Sequence, residues 1–229
     1  MEIVRRALVL WIITLLPSLA QEAMRRGDYD LAVNCLDAYH SFNANNATTH
    51  LMLGWAYFKK DDLGRAIDAY SEAIRLAPNH AAALHQRASL YSETKKYARA
   101  RADYEAVLRL QPENAESRLA LVELFSSCPD TTVRNVARAD EEAGRLDPHA
   151  TTSQRAFARL AAAHAVRSEL DQAIRWQRKA LACMNSYDKE EKRRAALVLE
   201  LYRKRKKRAE KAALRRVRQN ASPPQDGGQ

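Results

Sequence analysis

Apolar residues recur at intervals of three and four along much of the chain, which is the pattern of amphipathic α-helices. The pattern is clearest in residues 51–58 and again in residues 66–76. Residues 81–114 carry a second pair of such runs. Pro78 and Pro112 end the second run of each pair, because proline cannot donate the next helical hydrogen bond. The pattern predicts paired helices and an all-α protein.

The two helix pairs occupy consecutive blocks of equal length, 47–80 and 81–114, which carry small and aromatic residues at the same offsets. The shared positions hold Gly54 and Ala88, Tyr57 and Tyr91, Ala66 and Ala100, Tyr70 and Tyr104, Ala73 and Val107, and the two prolines. Small residues let two helix backbones approach closely, and a larger side chain would overpack the contact by about 1 to 3 kcal/mol. One pair cannot bury its apolar face alone, so the blocks are expected to stack.

This arrangement of small and aromatic residues resembles the tetratricopeptide repeat, most strongly in residues 47–114. The resemblance implies a right-handed superhelical solenoid of helix-turn-helix repeats. Less regular copies extend the array to residues 21–185, with about four and a half repeats. The predicted blocks are a partial 21–46, then 47–80, 81–114, an irregular 115–150, and 154–185. Residues 126–132 are expected to form a longer turn.

The resemblance also implies a binding groove, since in this family the first helix of each repeat lines a concave surface that contacts peptides. The corresponding residues here are Leu51, Trp55, Phe58, Lys59, His85, Ser89, Ser92, Glu93, Leu119 and Glu123. Trp55 and Phe58 are the expected anchors, because buried aromatic residues dominate interface energies. The alternative for Phe58 is packing against the neighbouring repeat.

The amino-terminal segment predicts export. Two arginines precede an apolar run from Ala7 to Leu16, and two small residues, Ala20 and Ser18, stand at the first and third positions before Gln21. This is the layout of a signal peptide over residues 1–20, which predicts a periplasmic or secreted protein. An uncleaved membrane anchor is one alternative, and a first repeat helix with Ala20 at the small position is another. Pro17 argues against an uninterrupted helix, because a mid-helix proline costs about 3 kcal/mol.

Positive charge is concentrated near the carboxyl end. The chain has a formal net charge of +10, and the 14 basic and 4 acidic residues of 189–218 account for all of it. Apolar residues recur within this stretch, so residues 186–219 are predicted to form one long basic helix that caps the last repeat and then projects into solvent. Residues 220–229 have the composition of a disordered tail.

The basic helix predicts an anionic partner. The expected contacts are Arg203, Lys204, Arg205, Lys206, Lys207 and Arg208. Anionic lipid or an acidic polymer suits an exported protein, whereas nucleic acid suits a cytoplasmic one with an intact amino terminus. The third alternative is a solvated helix without a dedicated ligand.

The sequence contains no recognised catalytic motif. The six histidines are scattered, and there is no phosphate-binding loop or nucleophile elbow. We therefore predict a protein without a metal, cofactor or small-molecule substrate. Cys35 and Cys183 are expected to pack as small apolar residues, and Cys128, in the irregular turn, to be exposed. The sequence predicts a non-catalytic scaffold that binds a protein or peptide.

Overall fold

The computed structural model describes residues 2–43, 45–147, 154–184 and 189–220, and within these ranges the side chains of residues 14–216. The described residues form eleven α-helices and no β-strand, which confirms the predicted all-α class. The helices are α1 (Glu2–Arg26), α2 (Tyr29–Phe42), α3 (Ala47–Lys59), α4 (Leu63–Leu76), α5 (Ala81–Glu93), α6 (Tyr97–Leu110), α7 (Ala115–Ser127), α8 (Val136–Gly144), α9 (Gln154–Val166), α10 (Leu170–Ala182) and α11 (Lys189–Asn220). The tail predicted to be disordered lies, after Asn220, outside the described residues.

The chain divides into two compact units, residues 1–117 and 118–229. In the first unit α1 packs against α2, α3 against α4, and α5 against α6. The second helix of each of the first two pairs also contacts the first helix of the next pair. In the second unit α9 packs against α8 and α10, and α11 packs against α10.

The same tight turn joins the two helices of four pairs. The central residue of each turn has a left-handed backbone conformation. These residues are Gly27, Asp61, Lys95 and Ser168, with φ of 79°, 61°, 60° and 63°. In each turn the following amide donates to the carbonyl oxygen five residues earlier, as Asp62 does to Tyr57 at 3.0 Å. This hydrogen bond is characteristic of the Schellman motif, which closes the end of the first helix. The Asp62 carboxylate then caps α4 by accepting a hydrogen bond from the backbone N–H of Arg65 at 3.1 Å.

Gly54 lies where α3 packs against α4. A Cβ atom built on Gly54 would be 2.6 Å from two ring carbons of Tyr70. Real Cβ contacts essentially never fall below 3.0 Å, so the ring of Tyr70 occupies the space that any side chain at position 54 needs. Ala88 is also fully buried, at the corresponding position of α5. The predicted reason for small residues at these positions is therefore present in the structure.

Helix α1 runs without a break from Glu2 to Arg26 and includes Pro17. Its side chains from Leu16 onward pack on the first repeat: Ala20 is completely buried, and Leu16 and Met24 contact the same apolar core. Residues around Ala20 therefore act as the first helix of a pair with α2. In the described part of the chain, no helix combines the length and apolar character needed to cross a bilayer. Cleavage of a signal peptide stays a prediction.

The second unit is organised around aromatic residues and a buried histidine. The rings of Phe157 and Trp176 stack with centroids 5.4 Å apart and an interplanar angle of 25°. His164, buried beside them, lies within hydrogen-bond distance of two carboxylates: Nδ1 is 2.6 Å from Glu169 Oε2, and Nε2 is 2.9 Å from Asp140 Oδ1. These bonds join α8, α9 and the turn before α10.

The expected exposure of Cys128 is wrong. All three cysteines are free thiols, and all three are buried. Cys128 is only 3% exposed, because the loop after α7 folds back and the Asn135 amide donates to the carbonyl oxygen of Phe125 at 2.9 Å. Burial raises the pKa of the Cys128 thiol, so this thiol is less reactive than a free cysteine. The irregular stretch, predicted at residues 126–132, spans residues 128–135 between α7 and α8.

Candidate functional site

An open cavity of about 510 Å³ lies on the first helices of the first three pairs. We refer to this cavity as the groove. Its lining residues are Gln21, Met24 and Arg25 of α1, Leu51, Met52 and Trp55 of α3, Tyr70 of α4, and Ala82 and Gln86 of α5. On each first helix the contributing residues are spaced by one, three or four positions, so they share one face. Cavities of this size are typical of ligand-binding sites.

The walls of the groove are mainly apolar. Leu51, Met52 and Trp55 form one wall, and Met24 of α1 faces the same space. The two methionines are unbranched and polarizable, so they can adjust to ligand side chains of different shapes. The groove is therefore suited to an apolar side chain larger than a methyl group.

Trp55 is held in place before any ligand arrives. The edge of its ring meets Tyr29, with ring centroids 5.7 Å apart and an interplanar angle of 73°. The ammonium of Lys59 lies 5.4 Å from the centroid of the Trp55 ring, within the range of a cation–π interaction. The side chain nevertheless remains partly exposed. A fixed, partly exposed tryptophan loses little conformational entropy when it binds a partner.

Tyr70 contributes to the wall of the groove behind Gly54. The Tyr70 side chain is 1% exposed, and its hydroxyl has no hydrogen-bond partner among the described residues. Burial raises the pKa of Tyr70, so the hydroxyl stays protonated at neutral pH. A polar group here would find a hydrogen-bonding atom in an otherwise apolar surface.

Among the described residues, the lining of the groove includes no carboxylate. Gln21 and Gln86 are exposed amides, and Arg25 forms an ion pair with Glu22, one residue outside the lining. Arg26 also pairs with Glu22, so two guanidinium groups share one carboxylate. Electrostatically, this lining favours a ligand with a neutral or acidic flank.

The structure brings only part of the predicted groove together. Leu51 and Trp55 line it. Phe58 and Lys59 lie one turn further along α3, where the Lys59 ammonium is 5.8 Å from the Phe58 ring centroid. Ser89, Ser92 and Glu93 of α5 are not among the lining residues.

His85 is occupied by contacts within the first unit. Its Nδ1 lies 2.7 Å from Ser117 Oγ, and its ring meets the edge of Tyr104 at 5.5 Å. Burial lowers the pKa of His85, although Glu116, with a carboxylate 3.9 Å from Nε2, opposes the shift. His85 therefore serves packing between α5, α6 and α7 in its present position.

Leu119 and Glu123 belong to the second unit. Both are partly buried, and the Glu123 carboxylate forms an ion pair with Arg159 of α9 at 3.3 Å. An incoming peptide would have to compete with Arg159 for this carboxylate.

The sequence interpretation missed the contribution of α1 to the groove. One repeat length of 34 residues separates Gln21, Met24 and Arg25 from Trp55, Phe58 and Lys59 of the predicted groove. The repeat register was sufficient to identify them. They were missed because this segment also has the layout of a signal peptide ending at Ala20.

A second cavity, of about 640 Å³, lies between α10 and α11 in the second unit. We refer to it as the basic cleft. Its lining residues are Asp171, Ile174, Arg175 and Arg178 of α10, and Arg203, Lys206, Lys207 and Glu210 of α11. Three of the six predicted anion contacts thus line it. Of the others, Lys204 pairs with Glu200 at 2.7 Å, and Arg205 and Arg208 are exposed elsewhere on α11.

Comparison with known proteins identifies repeats in the first part of the chain. Residues 18–81 match one sequence model of the tetratricopeptide repeat, and residues 81–114 match another. Two relatives, each described as uncharacterized protein ycf37, match over 68 residues, or 30% of this chain. The match is 34% identical in Pyropia yezoensis and 35% identical in Porphyra purpurea. It spans only 38% and 39% of the lengths of these relatives.

Solved structures share the architecture more widely. A tetratricopeptide repeat protein from Parabacteroides merdae ATCC 43184 aligns with a TM-score of 0.69 at 19% identity, covering 93% of this chain and 81% of that one. MamA from Desulfovibrio magneticus RS-1 aligns with a TM-score of 0.65 at 20% identity, covering 75% of this chain and 94% of that one. At such identities the likeness establishes the fold, an all-α helical-repeat solenoid.

Proposed function

We propose that this chain, whose residues 18–81 and 81–114 match models of the tetratricopeptide repeat, is a non-catalytic interaction scaffold that binds a peptide or protein segment in the groove of its first unit. The observation that carries the proposal is the position of Trp55. Its ring is fixed by Tyr29 and Lys59, yet it lines an open cavity to which three successive first helices contribute.

The groove favours a particular kind of ligand. Leu51, Met52 and Met24 offer apolar contacts, so a large aliphatic or aromatic side chain is the expected anchor. The exposed amides of Gln21 and Gln86 can pair with the peptide backbone on either side of that anchor. Arg25 favours an acidic residue next to it.

The experiment is a selection of random peptides displayed on phage against the immobilised full-length protein. We expect enriched peptides to share a large apolar residue. Trp55→Ala should weaken binding of a selected peptide by about tenfold or more, as expected for loss of a central aromatic anchor. Phe42→Ala is the matched control, because Phe42 is an exposed aromatic residue, 61% accessible, outside the groove.

Helicity and melting temperature should be close to those of the parent protein in both variants. Equal affinity of Trp55→Ala and Phe42→Ala for the selected peptides would overturn the assignment of the groove. Failure to enrich any peptide sequence would overturn it as well.

We further propose that the scaffold works outside the cytoplasm. The support is the basic, apolar and small-residue order of residues 1–20. Mass spectrometry of the protein purified from its native host tests this: an amino terminus at Gln21 is the expected result. An intact Met1 would contradict cleavage, and extraction only by detergent would then favour a membrane anchor.

A second candidate function is attachment to an anionic surface through α11. The observation in its favour is the exposure of this helix. Residues 203–205 and 207–216 are all exposed, and Lys206 is partly buried. Binding to vesicles of anionic lipid that weakens with added salt is the expected result. Preference for duplex DNA over such vesicles at equal salt would instead favour a nucleic-acid partner.

A further inference from the structure

The basic cleft has two matched walls. On α10 the lining residues are Asp171, Ile174, Arg175 and Arg178, and on α11 they are Arg203, Lys206, Lys207 and Glu210. Both sets follow the spacing i, i+3, i+4, i+7, so each helix turns a single face to the cleft. Two of the cationic side chains therefore come from α10, a helix that is not part of the basic carboxy-terminal run.

Packing next to the cleft holds the two walls together. The Gln177 side chain, which is buried, donates a hydrogen bond from Nε2 to the backbone carbonyl of Ala195 at 3.1 Å. Leu199 of α11 is also buried. Gln177 lies among the cleft residues of α10, and Ala195 and Leu199 precede those of α11, so the cleft is built on a packed helix pair.

The carboxylates of the cleft neutralise only one of its cations. Asp171 and Glu210 both pair with Lys206, the second at 3.6 Å. Within the described ranges no carboxylate forms an ion pair with the other four cationic side chains of the cleft, Arg175, Arg178, Arg203 and Lys207. Like charges on facing helices repel, so an anion bound between them would stabilise this arrangement.

We propose that the basic cleft is a binding site for a compact ligand carrying two or more phosphate groups. Three of its five cationic side chains are arginines, whose planar guanidinium groups fit phosphate oxygens with two parallel hydrogen bonds. The cleft volume of about 640 Å³ suits a small polyphosphorylated molecule.

The geometry favours such a ligand over an extended surface. Arg175 and Arg178 face α11 across a concave cleft, where a flat bilayer contacts the rims more readily than the floor. A nucleic-acid duplex would follow the length of α11 and would also engage Lys211, Arg215 and Arg216, which are exposed beyond the cleft. Contacts with α10 are therefore expected for a compact ligand, and not for a bilayer or a nucleic-acid duplex.

The test is isothermal titration of the full-length protein with inorganic tripolyphosphate. We expect one site per chain, and a rise in melting temperature as tripolyphosphate is added. The double variant Arg175→Gln/Arg178→Gln should lose about tenfold or more in affinity. Both arginines are exposed on α10, so the variant is expected to keep its helicity.

The matched control is Lys211→Gln/Arg215→Gln, which removes the same amount of charge from α11 outside the cleft. It should change the affinity less than about threefold, through long-range electrostatics alone. Equal losses in the two double variants, or no saturable binding of tripolyphosphate, would overturn the proposal.

Vesicles identify the source of the phosphates. If vesicles carrying multiply phosphorylated inositol lipids bind and tripolyphosphate displaces them, the ligand is a lipid headgroup held in the cleft. If tripolyphosphate binds and these vesicles do not, the ligand is a soluble molecule. Vesicles of singly charged anionic lipid are the remaining comparison. If they bind as well as the inositol-lipid vesicles, and bind equally to both double variants, the cleft is not the site.

Discussion

The guanidinium of Arg87 forms two parallel hydrogen bonds with the carboxylate of Asp103, at 2.8 and 2.9 Å. The pair links α5 to α6, and Arg87 also donates to Ser71 Oγ of α4 at 3.1 Å. Asp103 is 8% exposed, and its hydrogen bonds with Arg87 raise the pKa of Arg87 above the ordinary arginine value. One buried pair therefore ties together helices of two adjacent repeats.

Arg87→Met should destabilise the protein by about 3 kcal/mol or more, because it leaves the Asp103 carboxylate buried without a partner. Urea denaturation measures the loss. The control is Arg75→Met, which breaks an exposed pair with Glu72 and should cost much less than Arg87→Met, because solvent screens the pair. Equal costs at the two positions would show that burial of Asp103 does not matter.

Gly54→Ala should lower the melting temperature, although alanine is the better helix former by about 1 kcal/mol. The new methyl group would meet the Tyr70 ring at 2.6 Å, and overpacking of this kind costs about 1 to 3 kcal/mol. Gly144→Ala is the control, since a Cβ atom there meets nothing within 4 Å. That variant should be neutral or slightly stabilised, and stabilisation of both variants would contradict the close approach of α3 and α4.

Lys95→Gly should stabilise the protein by up to about 1 kcal/mol. Lys95 has φ of 60° in the turn between α5 and α6, a conformation that glycine adopts without the steric cost of a Cβ atom. Gly27→Ala, at the equivalent turn with φ of 79° and free space around it, should have the opposite sign. Thermal unfolding measures both, and a loss of stability in Lys95→Gly would show that its side chain contributes more than the strain.

Acid should weaken the contact between His164 and Glu169. Hydrogen bonds from His164 and then Arg167 hold the pKa of Glu169 below its ordinary value of 4.5. A lowered folded-state pKa means that this stabilisation is complete above the unfolded pKa and is lost as the pH falls through the folded one. The difference in unfolding free energy between the parent protein and Glu169→Gln should therefore shrink between about pH 6 and about pH 3. A constant difference across this range would contradict the contact.

The repeated part of the fold was predictable because its information is local and occurs twice. Gly54 and Ala88 marked the helix contacts, and both are buried in the structure. The blocks 47–80 and 81–114 each contain one helix pair. The exposure of Cys128 was predicted wrongly. Whether a loop residue is buried or exposed depends on tertiary packing, which produces no periodic pattern in the sequence.

The candidate sites were less accessible to sequence reasoning. Trp55 and Leu51 could be placed in the groove from their offsets, whereas Phe58 stands at a groove offset but lies outside the cavity. The α10 wall of the basic cleft was missed, since Arg175 and Arg178 belong to no charged run and meet α11 only through tertiary packing. The bonds of His164 to Asp140 of α8 and to Glu169 of the turn before α10 were missed for the same reason.

The position of α1 would link ligand affinity to the predicted cleavage of the chain. Gln21, Met24 and Arg25 line the groove, and the predicted cleavage point is the peptide bond immediately before Gln21. A peptidase acting there would detach the buried Ala20 anchor and leave one wall of the groove as a short free end of the chain. The precursor and the mature protein would then differ in how tightly they hold the same ligand.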